Sequence, residues 1–171
     1  IDILINNAGL TRDNLTMRMK DEDFQEVLNI NLSAAFRLSK VCLRGMMKSR
    51  WGRIVSIASI VGMTGNPGQA NYAASKAGMV ALTKSIARGF GKDGITAFSV
   101  APGFTRTAMA QKSIDKYGED FVVKDIALNN LTEPKDIAPV VVLICSGKFD
   151  HGTGSCIDMN ACLLYTSPSP R

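Results

Sequence analysis

Apolar residues in this chain fall into short, mostly apolar runs separated by longer stretches of helical periodicity. Ile3-Leu4-Ile5, Ile54-Val55-Ser56-Ile57 and the segment from Ile95 to Val100 have strand length and are rich in β-branched residues. Runs of this kind suit strands covered by helices on both faces. Each ends in loop or turn chemistry: Asn6-Asn7-Ala8-Gly9, then Ser59 with Gly62, Gly65 and Gly68 beyond it, then Ala101-Pro102-Gly103. Between the first two runs, Phe24, Val27, Leu28, Ala35, Leu38, Cys42 and Met46 recur at helical spacing and predict a helix over 21–49. Asp21, Glu22 and Asp23 place acid in its first turn, where the helix dipole favours negative charge. A second long helix is predicted over 70–91, with small residues (Ala70, Ala73, Ala74, Ala77, Gly78, Ala81) that permit close packing. Glu133-Pro134 opens a third, to Cys145, because proline is tolerated in a first turn. Pro139 lies deeper and is expected to kink or shorten that helix. The stretch 104–131 is of mixed polarity and predicts a mobile segment with short helices, and 154–158 predicts a last strand.

The order is β-α-β-α-β-α-β, which implies an α/β fold with a doubly wound parallel sheet and right-handed crossovers. Ligands on such sheets sit beyond the carboxyl ends of the strands. Those ends carry Asn6 to Gly9, Ser59 and Pro102-Gly103.

A chain of 171 residues suits one domain able to bury roughly two-thirds of its surface. The net charge of +5 is spread along the chain with few aromatics, which argues against a nucleic-acid interface. No apolar run approaches the roughly 20 residues that span a bilayer, and no signal peptide opens the chain, so a soluble protein with no membrane partner is expected. Cys42, Cys145, Cys156 and Cys162 lack CxxC spacing, and the single histidine, His151, has no metal-ligand company. A metal site is not expected, and a reduced, cytoplasmic compartment is. The chain has no initiator Met and starts inside an apolar run, while Cys162 to Arg171 breaks abruptly from what precedes it and resembles translated cloning or adapter sequence. The expected organisation is a domain over 1–161 and a non-native tail over 162–171.

Candidate chemistry centres on Tyr72 and Lys76 in Asn71-Tyr-Ala-Ala-Ser-Lys76, which share one helix face. A free phenol has a pKa of about 10. A nearby ammonium favours the phenolate and is expected to lower that value, so that Tyr72 exchanges a proton with a developing alkoxide near neutral pH. Ser59, just past a strand end, is placed to hold a substrate oxygen beside Tyr72. Asn31 lies inside the first long helix, where asparagine is a poor helix former; a side-chain task such as anchoring a water to Lys76 is expected.

Taken together, Asn6-Asn7-Ala8-Gly9, Asn31, Ser59, Tyr72, Lys76 and Pro102-Gly103 resemble the short-chain dehydrogenase/reductase pattern in order and spacing, over essentially 1–160. The resemblance implies part of a Rossmann-like sheet and hydride transfer between a nicotinamide cofactor and a carbonyl carbon. It makes Tyr72 the general acid/base and gives Lys76 the acidification of Tyr72 and the nicotinamide ribose. Ser59 orients the carbonyl, and Asn31 holds a relay water. Cofactor contacts fall to Asn7, Ala8, Gly9, Pro102, Gly103 and to Thr105 or Thr107.

Leu10-Thr-Arg-Asp-Asn-Leu-Thr-Met-Arg-Met-Lys20 and Asn31-Leu-Ser-Ala-Ala-Phe-Arg-Leu-Ser-Lys40 look like the corresponding segments of 3-oxoacyl-acyl carrier protein reductases of fatty-acid synthesis. That narrower resemblance implies NADPH, with NADH as the alternative. It implies a thioester carried on acyl carrier protein or coenzyme A, and a homotetramer in which the two long helices, with Met46 and Val80, form contacts between subunits. Arg50 matches one basic position that docks the acidic carrier in that family, and Asp93 stands at the other with Lys92 beside it. Ala127 and Asn130 replace the usual Pro and Arg, and Ala161-Cys162 the usual Gly-Gly. The family's glycine-rich phosphate loop has no match, since Gly62 to Gly68 does not turn directly from strand to helix. The chain by itself is therefore expected to be inactive, with the edge at 1–5 prone to aggregation. Competing readings are a sister reductase for acetoacetyl-CoA, a sugar or a steroid, and a non-catalytic nucleotide-binding sensor.

Overall fold

The computed structural model describes residues 1–163. Four strands, β1 (Ile3–Asn6), β2 (Gly52–Ile57), β3 (Ile95–Pro102) and β4 (Cys156–Met159), form one sheet in the order β1-β2-β3-β4, every pair parallel. Because all strands run the same way, Asn6, Ile57, Pro102 and Met159 end along one edge. The helices are α1 (Asp21–Leu28), α2 (Ala34–Ser49), α3 (Val61–Thr64), α4 (Ala70–Phe90), α5 (Ala108–Tyr117), α6 (Glu119–Val123) and α7 (Pro134–Cys145). The tail expected over 162–171 lies, from 164 onward, outside the described residues.

The helix predicted over 21–49 is there, but a π turn, Asn29–Ser33, joins α1 to α2. On one face of the sheet, Cys42 and Met46 of α2 and Ile86 and Ala87 of α4 pack on Ile54, Ile95 and Ala97. On the other, Ile144 of α7 packs on Val55, Phe98 and Val100. Strands β2 and β3 are thus covered on both sides, which is why their sequences are mostly apolar without strict alternation. The stretch after β3 builds a small core of its own from Val122, Val123, Ile126 and Leu131.

Four expectations change. Strand β1 is not covered on both faces: Leu4 joins the α2–α4 side, whereas Ile3 and Ile5, of opposite parity, are 42% and 46% exposed. Helix α7 packs on β2 and β3 and does not reach that far. Pro139 does not shorten α7, which runs to Cys145, stabilised at its start by a reciprocal Glu133–Asp136 capping box. Met46 is no surface for a partner; it is fully buried between α2 and the sheet, touching the backbone of Gly52. The last strand starts two residues later than predicted, at Cys156, because Thr153 and Gly154 are spent on Ala97: Thr153 Oγ1 accepts its N–H and Gly154 N–H donates to its carbonyl.

All four cysteines are free. Among the described residues no helix is long and apolar enough to cross a membrane, and no group of side chains could hold a metal ion.

Gly94 sets the start of β3. Its φ is +78°, and a Cβ there would stand 2.1 Å from the Arg50 carbonyl oxygen. Gly94→Ala should therefore cost at least about 2 kcal/mol, from left-handed strain plus displacement of the α2–β2 turn. Urea unfolding of wild type and variant measures it, and a loss below about 0.5 kcal/mol would show that the turn yields freely.

Candidate active site

The loop after β2 delivers Ser59. Beyond Ile57 the chain keeps bonding to β3, with Ala58 N–H on Val100 O at 2.7 Å and Ile60 N–H on Pro102 O at 3.0 Å. Ser59 is thereby fixed at the carboxyl edge of the sheet. Its Oγ accepts the Val61 N–H at 3.2 Å. With one lone pair so engaged, its hydroxyl is left to act on Tyr72, whose pKa it lowers.

Helix α4 delivers Tyr72 and Lys76 from one face, a turn apart. Lys76 Nζ lies 5.5 Å from the centroid of the Tyr72 ring and donates to the Ile57 carbonyl at 2.7 Å. The π turn between α1 and α2 presents Asn31 to the interior, where it is 1% exposed. One residue more per turn rotates the helix face locally, a device that recurs at functional sites. Asn31 Oδ1 accepts the Leu10 N–H at 2.9 Å, and Nδ2 donates to the Leu10 carbonyl at 3.0 Å and to Ser75 Oγ at 3.1 Å. Gly9 passes between Asn31 and Lys76: a Cβ there would stand 3.2 Å from Asn31 Oδ1 and 3.6 Å from Lys76 Nζ.

These groups meet at a cleft of about 1040 Å³. Gly9, Ser59, Tyr72, Gly103, Thr105 and Thr107 line it, together with Leu10 to Asn14, Gln69, Phe104 and Met109. Lys76 and Asn31 stand behind Tyr72 and Gly9 rather than on the cleft wall. Asn7 and Ala8 are exposed in the loop after β1 and do not line it. Pro102 closes β3. Thr105 Oγ1 donates to the Gly103 carbonyl at 3.2 Å, and Thr107 caps α5, accepting the Ala110 N–H at 3.4 Å. Gly65 and Gly68 take positive φ between α3 and α4, so the glycine run is a turn into α4.

The electrostatics correct one expectation. Tyr72 is not acidified: burial raises its pKa above the usual value, the Ser59 hydrogen bond pulls it back, and the Asp13 carboxylate raises it again. Burial also lowers Lys76 to about 8. Desolvation disfavours both charged forms and here outweighs any help the amine gives the phenolate. The amine spends its short hydrogen bond on the Ile57 carbonyl.

Three polar residues of the site carried no motif. Asp13 and Gln69 face the cleft and bond each other, Gln69 Nε2 to Asp13 Oδ2 at 3.1 Å. Asn71, next to Tyr72, is completely buried. The signal for Asn71 was present in its position: an amide in the first turn of an otherwise small and apolar helix face.

The lowered Lys76 makes a pH prediction with a definite sign. Between about 8 and the unfolded value of 10.5 the unfolded chain binds the proton and the folded chain does not, so this group makes stability rise with pH there. Burial raises Cys145 and Cys156, which act oppositely above 9.0. Those contributions are common to wild type and Lys76→Met, so the difference between the two isolates Lys76. Chemical denaturation from pH 7 to 10 should show the wild type gaining on the variant as pH rises; a constant difference would mean the amine titrates as in water.

Residues 1–118 match the short chain dehydrogenase family. The chain is 46% identical over 160 residues to the 3-oxoacyl-(acyl-carrier-protein) reductase FabG of Vibrio harveyi, covering 94% of this chain and 65% of that protein. Against the reductase of the same name from Haemophilus influenzae the identity is 47% over 166 residues, covering 97% and 68%. Against that of Salmonella typhimurium it is 45% over 160 residues, covering 94% and 65%. The chain thus spans about two-thirds of the length of these relatives. With this match over most of its length, and with serine, tyrosine and lysine gathered at the carboxyl edge of a parallel sheet, the chain belongs to the short chain dehydrogenase family.

Proposed function

We propose that this chain carries the catalytic part of a cytoplasmic NADPH-dependent reductase of 3-oxoacyl thioesters, with NADH as the alternative donor. The observation that carries the reading is Ser59 and Tyr72 together on the wall of one cleft, with Lys76 one turn behind. The names of the relatives supply the substrate class.

The residues present fit the nicotinamide and ribose end of the cofactor. Lys76 has three donors and uses its short bond on Ile57, which leaves protons for ribose hydroxyls. Gly9 keeps the approach to that amine free of a side chain. Asn160, 4% exposed and packed against Gly103, has an amide nitrogen without a partner among the described residues. We assign the cofactor to Asn7, Ala8, Gly9, Tyr72, Lys76, Pro102, Gly103, Thr105 and Thr107. The reduced nicotinamide supplies the hydride when bound.

This chain's own residues supply placement and the proton. Ser59 and Tyr72 hold the ketone oxygen from two sides. Tyr72 keeps its proton at neutral pH because burial raises its pKa. A developing alkoxide is more basic than a phenolate, so the proton passes from Tyr72 to the substrate oxygen even from a phenol of raised pKa. Protonated Lys76 then stabilises the phenolate that remains, and Asn31 keeps one lone pair on Oδ1 beyond its bond to Leu10, open to a relay water behind Lys76.

Two surface features bear on partners. Arg50 donates to Asp93 Oδ1 at 2.9 Å and to the Lys92 carbonyl at 2.8 Å. An acidic carrier would have to break that pair, which favours docking elsewhere or a coenzyme A thioester. Assembly into a homotetramer would use the apolar positions left exposed, Leu38 and Val41 on α2 and Val142 and Leu143 on α7, in place of Met46.

The test is NADPH oxidation with a short 3-oxoacyl thioester. The chain alone should be silent, and the chain joined to the upstream third of the Vibrio harveyi relative should turn over. In the joined protein Tyr72→Phe should lower kcat by about 10²–10⁴ while cofactor affinity holds. Unchanged turnover removes Tyr72 from its role, and full activity of the chain alone removes the need for an upstream part.

A further inference from the structure

The wall of the cleft opposite Ser59 is segment 10–14, which has no regular secondary structure. Its backbone has no ladder to bond to, yet it holds one conformation at two buried amides. At one end, Asn31 takes both the N–H and the carbonyl of Leu10. At the other, Asn71 Nδ2 donates to the Arg12 carbonyl at 2.9 Å. Asn14 N–H adds a bond to the Gly68 carbonyl at 2.9 Å, and Asp13 accepts from Gln69 at 3.1 Å.

Asn71 differs from the other fasteners in what its second atom does. Its Oδ1 accepts the N–H of Tyr72 at 2.7 Å. That N–H is one of the first four of α4, which have no partner inside the helix. One fully buried amide therefore bonds the cleft wall with one atom and the backbone of the proton donor with the other.

We propose that Asn71 is a positioning residue of the reductase, fixing the distance between the wall at Arg12 to Asn14 and the hydroxyl of Tyr72, and so the seat of the ketone between them. This rests on the reductase reading given above. Asp13 belongs to that wall, and its carboxylate adds to the rise in the Tyr72 pKa. When the wall is unlatched, that charge and the steric limit of the cleft retreat together.

Two substitutions separate the two bonds. Asn71→Asp keeps an oxygen for the Tyr72 N–H and loses the donor to Arg12. Asn71→Ala loses both. In the joined protein, Asn71→Asp should raise KM for the thioester by about tenfold with kcat nearly held, as expected for one net hydrogen bond. Asn71→Ala should lower kcat as well. Cofactor affinity should be unchanged in both. Hydrogen exchange of the same proteins gives a readout independent of turnover: the Asn14 amide should exchange faster in both variants, the Tyr72 amide only in Asn71→Ala, and the amides of β2 and β3 in neither. Gln69→Ala, which removes the exposed bond to Asp13 and the local bond from Asn66 Nδ2, should give a smaller rise in KM and serves if Asn71→Ala does not fold. Wild-type KM in Asn71→Asp together with wild-type exchange at Asn14 overturns the proposal. If the joined wild type shows no turnover, the reductase reading fails, and exchange at Asn14 and Tyr72 still decides whether Asn71 is the latch.

Discussion

The hydrogen bond from Lys76 to the carbonyl of Ile57 joins the catalytic helix to the strand end that carries the rest of the site. It fixes the rotation of α4 about its own axis at the point where β2 gives way to Ser59. With Lys76 pinned, Tyr72 one turn earlier faces Ser59, and no further element is needed to bring phenol and hydroxyl together. The cost is electrostatic. An amine taken out of water at this depth holds its proton less tightly, with a pKa of about 8. Burial that makes the geometry rigid also makes both ionisable groups reluctant to charge. The site is therefore poised in its neutral phenol form, the form a proton donor needs.

Around that joint, side-chain amides do what a sheet ladder does elsewhere. The chain leaves β1 at Asn6 and reaches α1 only at Asp21, with a single 3-10 turn between. An unbonded backbone so close to the core would carry a penalty of about 1–3 kcal/mol for each buried orphan. Asn31 and Asn71 remove it at Leu10 and Arg12. The π turn at Asn29–Ser33 belongs to the same construction, since it sets Asn31 on the inner face. Irregular backbone and rigid position thus coexist, and the cleft wall is preformed without being part of the sheet.

Much of this was legible in the residues. Short, mostly apolar runs marked β2 and β3 because both are covered on two faces. The four-residue spacing of Tyr72 and Lys76 gave a shared face because α4 is regular there. What failed did so for tertiary reasons. Ile3 and Ile5 read as core, but burial of β1 depends on how far α7 reaches, which no local pattern records. Acidification of Tyr72 followed from pairing a phenol with an amine and ignored desolvation, a property of depth. Met46 had the periodicity of a buried face and of a contact face alike, and the chain packs it inward. Pro139 was expected to kink or shorten its helix, yet α7 is capped at Glu133 and packed along Ile137, Val140 and Val141, and is not shortened. Asn71 was passed over because the motif drew attention to its neighbour.

On the proposed reading, the described residues divide the reaction unevenly. Tyr72 and Ser59, proposed as proton donor and carbonyl anchor, and the cleft wall all lie at the carboxyl edge of the sheet. Nothing in that network depends on a dinucleotide being present: Lys76 is held by Ile57, Ser59 by Val61, Asn31 by Leu10 and Asn71 by Arg12 and Tyr72. On the proposed reading, the half of the chemistry that moves a proton is therefore preorganised by the fold. Lys76 is where the two halves meet: the amine proposed to take the ribose is the one whose bond to Ile57 sets the rotation of α4, and so the place of Tyr72, and its loss would disturb cofactor binding and proton transfer together.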